Sequence, residues 1–232
     1  MQNSGQAANA HIAAIVPAYN ERGRLKSTLE LLIKLSELDE IIVVDDGSSD
    51  GTACDIDDLN PGDERIRCIR LENNQGKSRA MQTGAGATAC ELILFLDADL
   101  YHIKLEDVRS LIRPVRDDEL DMAIGVFQGG KWNTDLSHWA SPWLSGQRCM
   151  LRSKFLHVPF SIVEGYGIEI AMTVIAKRER WRYRYLPLRG AYHKPSEFHR
   201  GGFTGIKWRM RMYGQIIRTY LALRRSSEAQ SQ

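Results

Sequence analysis

The stretch LILFLDADL, residues 92–100, decides the fold. Leu92 to Leu96 read as a buried strand, and the run ends in two carboxylates, Asp97 and Asp99, one residue apart. A buried strand gains nothing from charges at its tip, because a carboxylate taken out of water is costly unless it is paired or binds a metal. The tip is therefore expected to face a cleft in which the two acids meet a partner.

Working outward, the preceding hundred residues repeat the same layout. IAAIVPAY, residues 12–19, predicts a first buried strand stopped by Pro17. In ERGRLKSTLELLIKLSEL, Leu25, Leu29, Leu32, Ile33 and Leu35 fall near helical spacing. EIIVVDDGSSDGT predicts a second strand running into a turn, and IRCIRLE a third. GKSRAMQTGAGAT predicts a helix of small residues able to pack close to a sheet. Strands alternating with helices imply βαβ units and a parallel sheet, in which ligands bind beyond the carboxyl ends of the strands. Here PAYNE, DDGSSDGT and DADL all fall at those ends, so three strand tips aim polar chemistry at one edge.

The second half is less regular. GVFQGGKWNTDLSHWASPWLSGQR, residues 125–148, is expected to be a loop covering substrate. EGYGIEIAMTVIAKRERW predicts a loop entering a helix, and YRYLPLRGAYH a strand. IKWRMRMYGQIIRTYLALRR sets Ile206, Met210, Tyr213, Ile217, Tyr220 and Leu221 along one stripe of a helix. Residues 1–11 are expected to be disordered, 12–100 and 101–200 to be the two halves of one domain, 201–225 a basic amphipathic helix, and 226–232 a tail.

The chain has 232 residues, 43% hydrophobic and 26% charged, an ordinary globular composition for one sizeable domain. No apolar run is long enough to cross a bilayer and the N-terminus does not resemble a signal peptide, so a cytoplasmic protein is expected. Cys54, Cys68, Cys90 and Cys149 lack zinc-site spacing and are expected to be free thiols. The net charge of +2 is unevenly spread: from Lys177 to Arg225 fourteen Lys and Arg face two Glu, a local +12 that leaves −10 elsewhere. A basic tail suggests an anionic partner.

Carboxylates are the preferred ligands of Mg²⁺ and Mn²⁺. Magnesium takes one or two of them and completes its shell with water and substrate phosphates, so Asp-x-Asp at a strand tip suits a bound diphosphate. Helix capping is the plain alternative for Asp97 and Asp99, and a simple turn is the alternative for DDGSSDGT. The turn accounts for Gly47 and Gly51 but poorly for Asp46. The first strand lacks the glycine fingerprint of dinucleotide-binding enzymes, and NNQGKS lacks the first glycine of a Walker loop.

VPAYNE, VVDDGSSDGT, NNQGKSRAMQTGA and FLDADL stand in the order and spacing of family 2 glycosyltransferases, which the chain resembles over residues 12–195. The resemblance implies an α/β GT-A fold: a single Rossmann-like domain with a mainly parallel central sheet flanked by helices, here followed by a C-terminal amphipathic helix. It also implies transfer of a hexose from a UDP or GDP sugar with Mg²⁺ or Mn²⁺. By the same resemblance Pro17, Tyr19, Glu21, Asp46, Lys77 and Asp97 bind the nucleotide sugar, with Asp46 at the base. Asp99 contacts the metal, and His193 is a candidate further ligand, with His199 in reserve. Glu169 lies near the acceptor as a candidate base, and Gly146, Gln147 and Arg148 form an acceptor-side loop in which Arg148 holds a phosphate. GQRCM lacks the tryptophan of the Gln-x-x-Arg-Trp motif of processive polysaccharide synthases, which argues against that subgroup.

Two subgroups remain open: polyprenyl-phosphate sugar synthases at membrane surfaces, and soluble enzymes resembling glucosyl-3-phosphoglycerate synthases. Contact of the basic helix with the inner face of a membrane, or with a second copy of the chain, is likewise open. A non-catalytic nucleotide-sugar binder is the rival class, and no nucleic acid is expected as a partner.

Overall fold

The computed structural model describes residues 10–52, 63–128, 145–163, 165–193 and 202–229. The four apolar runs form β1 (Ile12–Ala18), β2 (Glu40–Asp45), β3 (Ile66–Arg70) and β4 (Leu92–Phe95), all paired in parallel. The other strands are β5 (Leu100–Tyr101), β6 (Met122–Gln128), β7 (Arg148–Leu151), β8 (Tyr183–Arg189) and β9 (Tyr192–His193). Seven of them make one sheet in the order β3-β2-β1-β4-β7-β6-β8, and β5 pairs with β9 in a small second sheet. Strand β7 runs antiparallel to both neighbours, and β6 and β8 are parallel.

Helices α1 (Leu25–Ile33) and α3 (Leu105–Arg116) cover one face, where Leu25, Leu29, Leu32, Val108, Leu111 and Ile112 pack on Ala14, Val16, Val43 and Leu94. Helices α2 (Lys77–Gly86), α4 (Arg152–Leu156) and α5 (Gly167–Arg178) cover the other, against Ile15, Val44, Ile93 and Phe95. With both faces buried, the parallel strands carry near-continuous apolar runs, and each buried aliphatic side chain contributes about 1.5–3 kcal/mol. The small-residue helix does pack closely: a Cβ on Gly84 would lie 2.5 Å from Ile15 Cγ2. Helix α6 (Gly202–Ala229) follows, and it runs past the expected boundary at 225. None of the described helices is long and apolar enough to cross a membrane.

Three local expectations change. Pro17 does not stop β1, which continues to Ala18 in register with β2. Ile15 O accepts from Leu96 N, so residues 15 and 17 face β4, whose pairing ends at Ile15 with Phe95. The missing N–H of Pro17 therefore interrupts no ladder. In the expected covering loop, Gly125–Gln128 belong to β6 and Arg148 opens β7, while residues 129–144, with all three tryptophans, lie outside the described residues. At the N-terminus, Ile12 N and the His11 ring both bond to Asp39, tying down a residue expected to be disordered.

Candidate active site

The loops after β1 and β2 are stitched together at the carboxyl edge of the sheet. Asn20 N donates to Ser48 Oγ (2.9 Å), Ser49 N to Asn20 Oδ1 (3.0 Å) and Glu21 N to Thr52 Oγ1 (2.8 Å). Gly47 supplies the turn with φ +73°, and a Cβ there would lie 2.6 Å from the Asn73 backbone. Asp46 is buried and accepts from Gln75 N (2.8 Å) and Gly76 N (2.7 Å). It thus anchors the entry to α2, and burial raises its pKa against the pull of these two N–H groups. Tyr19 is exposed and Pro17 half-buried at the same edge.

Lys77 opens α2, with Gly76 as its N-cap. A cation in the first turn sits at the wrong end of the helix dipole, so its position needs another cause. That cause is two carboxylates: Nζ lies 2.6 Å from Asp97 Oδ1 and 2.8 Å from Glu169 Oε1. Burial opposes the charge on Lys77, but the fields of Asp97 and Glu169 outweigh it and hold the ammonium well above lysine's usual range. The Tyr166 ring lies beneath it, 5.8 Å from Nζ to the ring centroid.

Asp97 is held on its other side by Gln147, whose Nε2 donates to Oδ2 at 2.7 Å. Ser145 Oγ in turn donates to Gln147 Oε1 or to the Gly125 carbonyl. Between them lies Gly146, where a Cβ would sit 2.6 Å from Lys77 Nζ and 2.7 Å from Asp97 Oδ2. Only a glycine leaves room for the ion pair. The SGQ segment therefore holds the first acid of the Asp-x-Asp in place.

Glu169, in the first turn of α5, is almost fully buried, and among the described residues its Oε2 has no hydrogen-bond partner. A buried acceptor without a donor is costly, about 1–3 kcal/mol, and such groups in folded proteins call for a functional reason. At the same edge, Glu21 forms an ion pair with Arg24. Burial and the charges of Asp99 and Asp97 raise the Glu21 pKa to about 7 despite Arg24. Three acids thus share one end of the cleft and favour a cation.

The residues fit a divalent ion of the magnesium type. Among the described residues no group of three or more His, Cys, Asp or Glu forms a ready cage. Magnesium does not need one, since one or two carboxylates suffice beside substrate phosphates. Asp97 is engaged with Lys77 and Gln147, and Asp99 lies at the same strand tip, where its charge helps raise the pKa of Glu21. The backbone of His193 pairs with Leu100, next to Asp99. Its side chain and all of His199 lie outside the described residues.

Arg148 corrects the sequence-based expectation. Its side chain is fully buried, with Nε donating to Ser145 O (2.9 Å) and one terminal nitrogen to Glu169 O (3.0 Å) and Thr173 Oγ1 (3.1 Å). A phosphate has no route to this guanidinium, which instead ties β7 to the first turn of α5. Gln147 is equally buried and serves Asp97. Sequence reasoning also missed Ser145, Thr173 and Tyr166, although Thr173 stands four residues after Glu169, one helical turn on.

An α/β sheet whose strand-tip loops and buried acids gather at one edge has the layout expected of a sugar-nucleotide transferase. Residues 13–209 match the model of glycosyl transferase family 2, and the chain belongs to that family. Its fold is the GT-A fold. It superimposes on glucosyl-3-phosphoglycerate synthase from Mycobacterium tuberculosis, in complex with Mn²⁺, UDP and glucosyl-3-phosphoglycerate, with a TM-score of 0.71 at 21% identity, covering 95% of this chain and 84% of that one. It is also similar to dolichyl-phosphate beta-glucosyltransferase of Dictyostelium discoideum, 36% identical over 43% of this chain and 34% of the relative. A third relative is the undecaprenyl-phosphate 4-deoxy-4-formamido-L-arabinose transferase of Proteus mirabilis, 36% identical over 38% of this chain and 29% of the relative. The chain thus spans about a third of the length of these two curated relatives.

Proposed function

We propose that the chain transfers a hexose from a UDP- or GDP-type sugar to a phosphorylated acceptor, with Mg²⁺ or Mn²⁺ as cofactor. The observation that carries this reading is the Lys77 ammonium set between Asp97 and Glu169. It joins the acid of the diphosphate end to an acid with an orphaned oxygen, one cation apart, as a reaction between a donor and an acceptor needs. A divalent ion held by Asp99, with His193 as candidate second ligand, would neutralise the leaving diphosphate.

The chain's own residues supply the rest. Pro17, Tyr19, Glu21 and Asp46 border the nucleotide side, and Gly146 and Gln147 fix Asp97. Glu169 Oε2 is the atom suited to hold the proton of an attacking hydroxyl. A phosphate nucleophile is already anionic and would use Glu169 only for orientation. The names of the relatives share one chemistry, a phosphorylated acceptor, borne on a polyprenol in the two transferases and on a small molecule in the synthase. The orphaned oxygen favours the second case, since a hydroxyl brings the hydrogen that Oε2 lacks.

The test is a thermal-shift screen of UDP-, GDP- and dTDP-sugars with and without Mn²⁺, followed by nucleoside diphosphate release with polyprenyl phosphate or 3-phosphoglycerate. Only a ligand of the folded state raises the midpoint. A metal-dependent rise with one donor is expected, and no shift with any donor overturns the reading.

A further inference from the structure

Helix α6 carries two apolar faces, and among the described residues one of them meets the domain. Ile216, Thr219 and Leu223 are buried. A Cβ on Gly167 would lie 2.1 Å from Thr219 Oγ1, and one on Gly165 would lie 2.5 Å from Gln215 Oε1. This inner face therefore rests directly on the turn that leads into Glu169. The stripe expected from the sequence is the other face: Met210 is 72% exposed and Ile217 58%, with Tyr213, Tyr220 and Leu221 exposed beside them. At 100° per residue, positions 210, 213, 217, 220 and 221 fall within about one third of the helix circumference. A continuous exposed stripe of this kind marks an interaction surface.

Charge decides what covers it. From Gly202 to Ala229 the helix has six Lys and Arg against one acid, Glu228, and Arg224 is exposed on the stripe, with Arg218 and Arg225 exposed at its flank. Two copies packed through this face would bring like charges together, with one acid against six cations on each helix. An anionic lipid surface complements them, at about 1 kcal/mol per cation near the headgroups. Met, Ile and Leu can enter the acyl boundary while the two tyrosines sit at headgroup level.

We infer that the outer face of α6 is a docking surface for an anionic membrane, with the helix lying in the headgroup plane. The inner face then stays on the Gly165–Gly167 turn, so the lipid surface lies one helix thickness from the candidate site. The docking does not depend on which sugar or acceptor the transferase uses.

The test is sedimentation of the full chain with vesicles of phosphatidylcholine alone, or of phosphatidylcholine mixed with phosphatidylglycerol, at low and high salt. Binding to the anionic vesicles is expected to be at least about tenfold tighter, and to weaken with salt. Ile217→Asp and Leu221→Asp lie on the exposed face and should each release the protein from vesicles. Their midpoint of thermal unfolding and their donor-induced shift should match the parent, which separates failure of docking from failure of the transferase reading. Equal binding to both vesicle types, no binding to either, or a dimer in solution that Ile217→Asp dissociates would each overturn the inference.

Discussion

Arg148 offers the sharpest test of how the site is held. It is a buried cation hydrogen-bonded to backbone carbonyls and a hydroxyl, with the field of Glu169 favouring its charge, and two substitutions separate its charge from its hydrogen bonds. Arg148→Met removes the charge and fills much of the volume. It strands Ser145 O, while Glu169 O keeps the Thr173 hydroxyl at 3.0 Å. One stranded carbonyl costs about 1–3 kcal/mol, and imperfect packing of the thioether adds about 1 kcal/mol. Arg148→Lys keeps the charge but loses the planar fork, so one ammonium cannot reach Ser145, Glu169 and Thr173 together. Burial already pulls the guanidinium down to about 10. The same burial acting on an ammonium, which starts lower, leaves it poorly solvated at neutral pH. We therefore expect the lysine variant to be the less stable by roughly 1–2 kcal/mol, contrary to the conservative ranking. Because its folded-state pKa would be depressed, the unfolded chain binds more protons, and its stability should rise as pH increases from neutral. Urea unfolding of both variants, followed by circular dichroism at neutral and mildly alkaline pH, reads both effects. A lysine variant as stable as the parent, or more stable than the methionine variant, refutes the argument.

Three further outcomes follow from the same geometry. Gly146→Ala should push Lys77 and Asp97 apart and reduce donor turnover at least about tenfold, with a stability loss of about 1–3 kcal/mol; unchanged turnover would show that the ion pair is dispensable. Burial pushes the Cys149 thiol up to about 12 and Cys90 to about 11, so both should resist iodoacetamide in the native protein at neutral pH and react once urea unfolds it, as read by peptide mass spectrometry. Glu21, raised to about 7, holds a proton in the folded protein at a pH where the unfolded chain has lost it, so it lowers stability as pH rises from about 4.5 to 7. Glu21→Gln should flatten the pH profile of the midpoint over that window in metal-free protein, and an unaltered profile would refute the assignment.

The amino-terminal half was legible because each signal there is local. The runs at residues 12–18, 40–45, 66–70 and 92–95 are separated by helices α1 and α2 in the first and last intervals, and such crossovers predict parallel pairing. The acids at the strand tips are adjacent in sequence as well as in space. The second half hides its organisation for opposite reasons. Strand β7 is only four residues long and antiparallel, so no βαβ rhythm announces it. Helix α3 has a clear apolar spacing at Val108, Leu111, Ile112 and Val115 but was overlooked beside a proline at position 114. The role of Arg148 depends on backbone carbonyls and on a threonine in another element, and backbone partners leave no mark on composition or motif. The exposed apolar stripe and the buried inner face both lie on one helix, and sequence periodicity detected the first while tertiary contact chose the second.

The two halves meet through Lys77, and its placement explains why the site needs both. Helix α2 follows β3 in the amino-terminal half, yet its first residue reaches Glu169 at the start of α5. That ammonium offsets the charges of Asp97 and Glu169, which would otherwise oppose each other across the cleft. Gly146 keeps the space clear, Gln147 fixes Asp97, and Arg148 fixes the backbone of Glu169 without touching the cleft. Asp97 and Glu169 are thus positioned by separate supports that converge on one cation. A shift of α5 by even a fraction of an ångström would be felt at Asp97, because the interior between them is close-packed and does not absorb strain. Helix α6 rests on the turn before α5, so what lies against its outer face bears on the same chain of contacts.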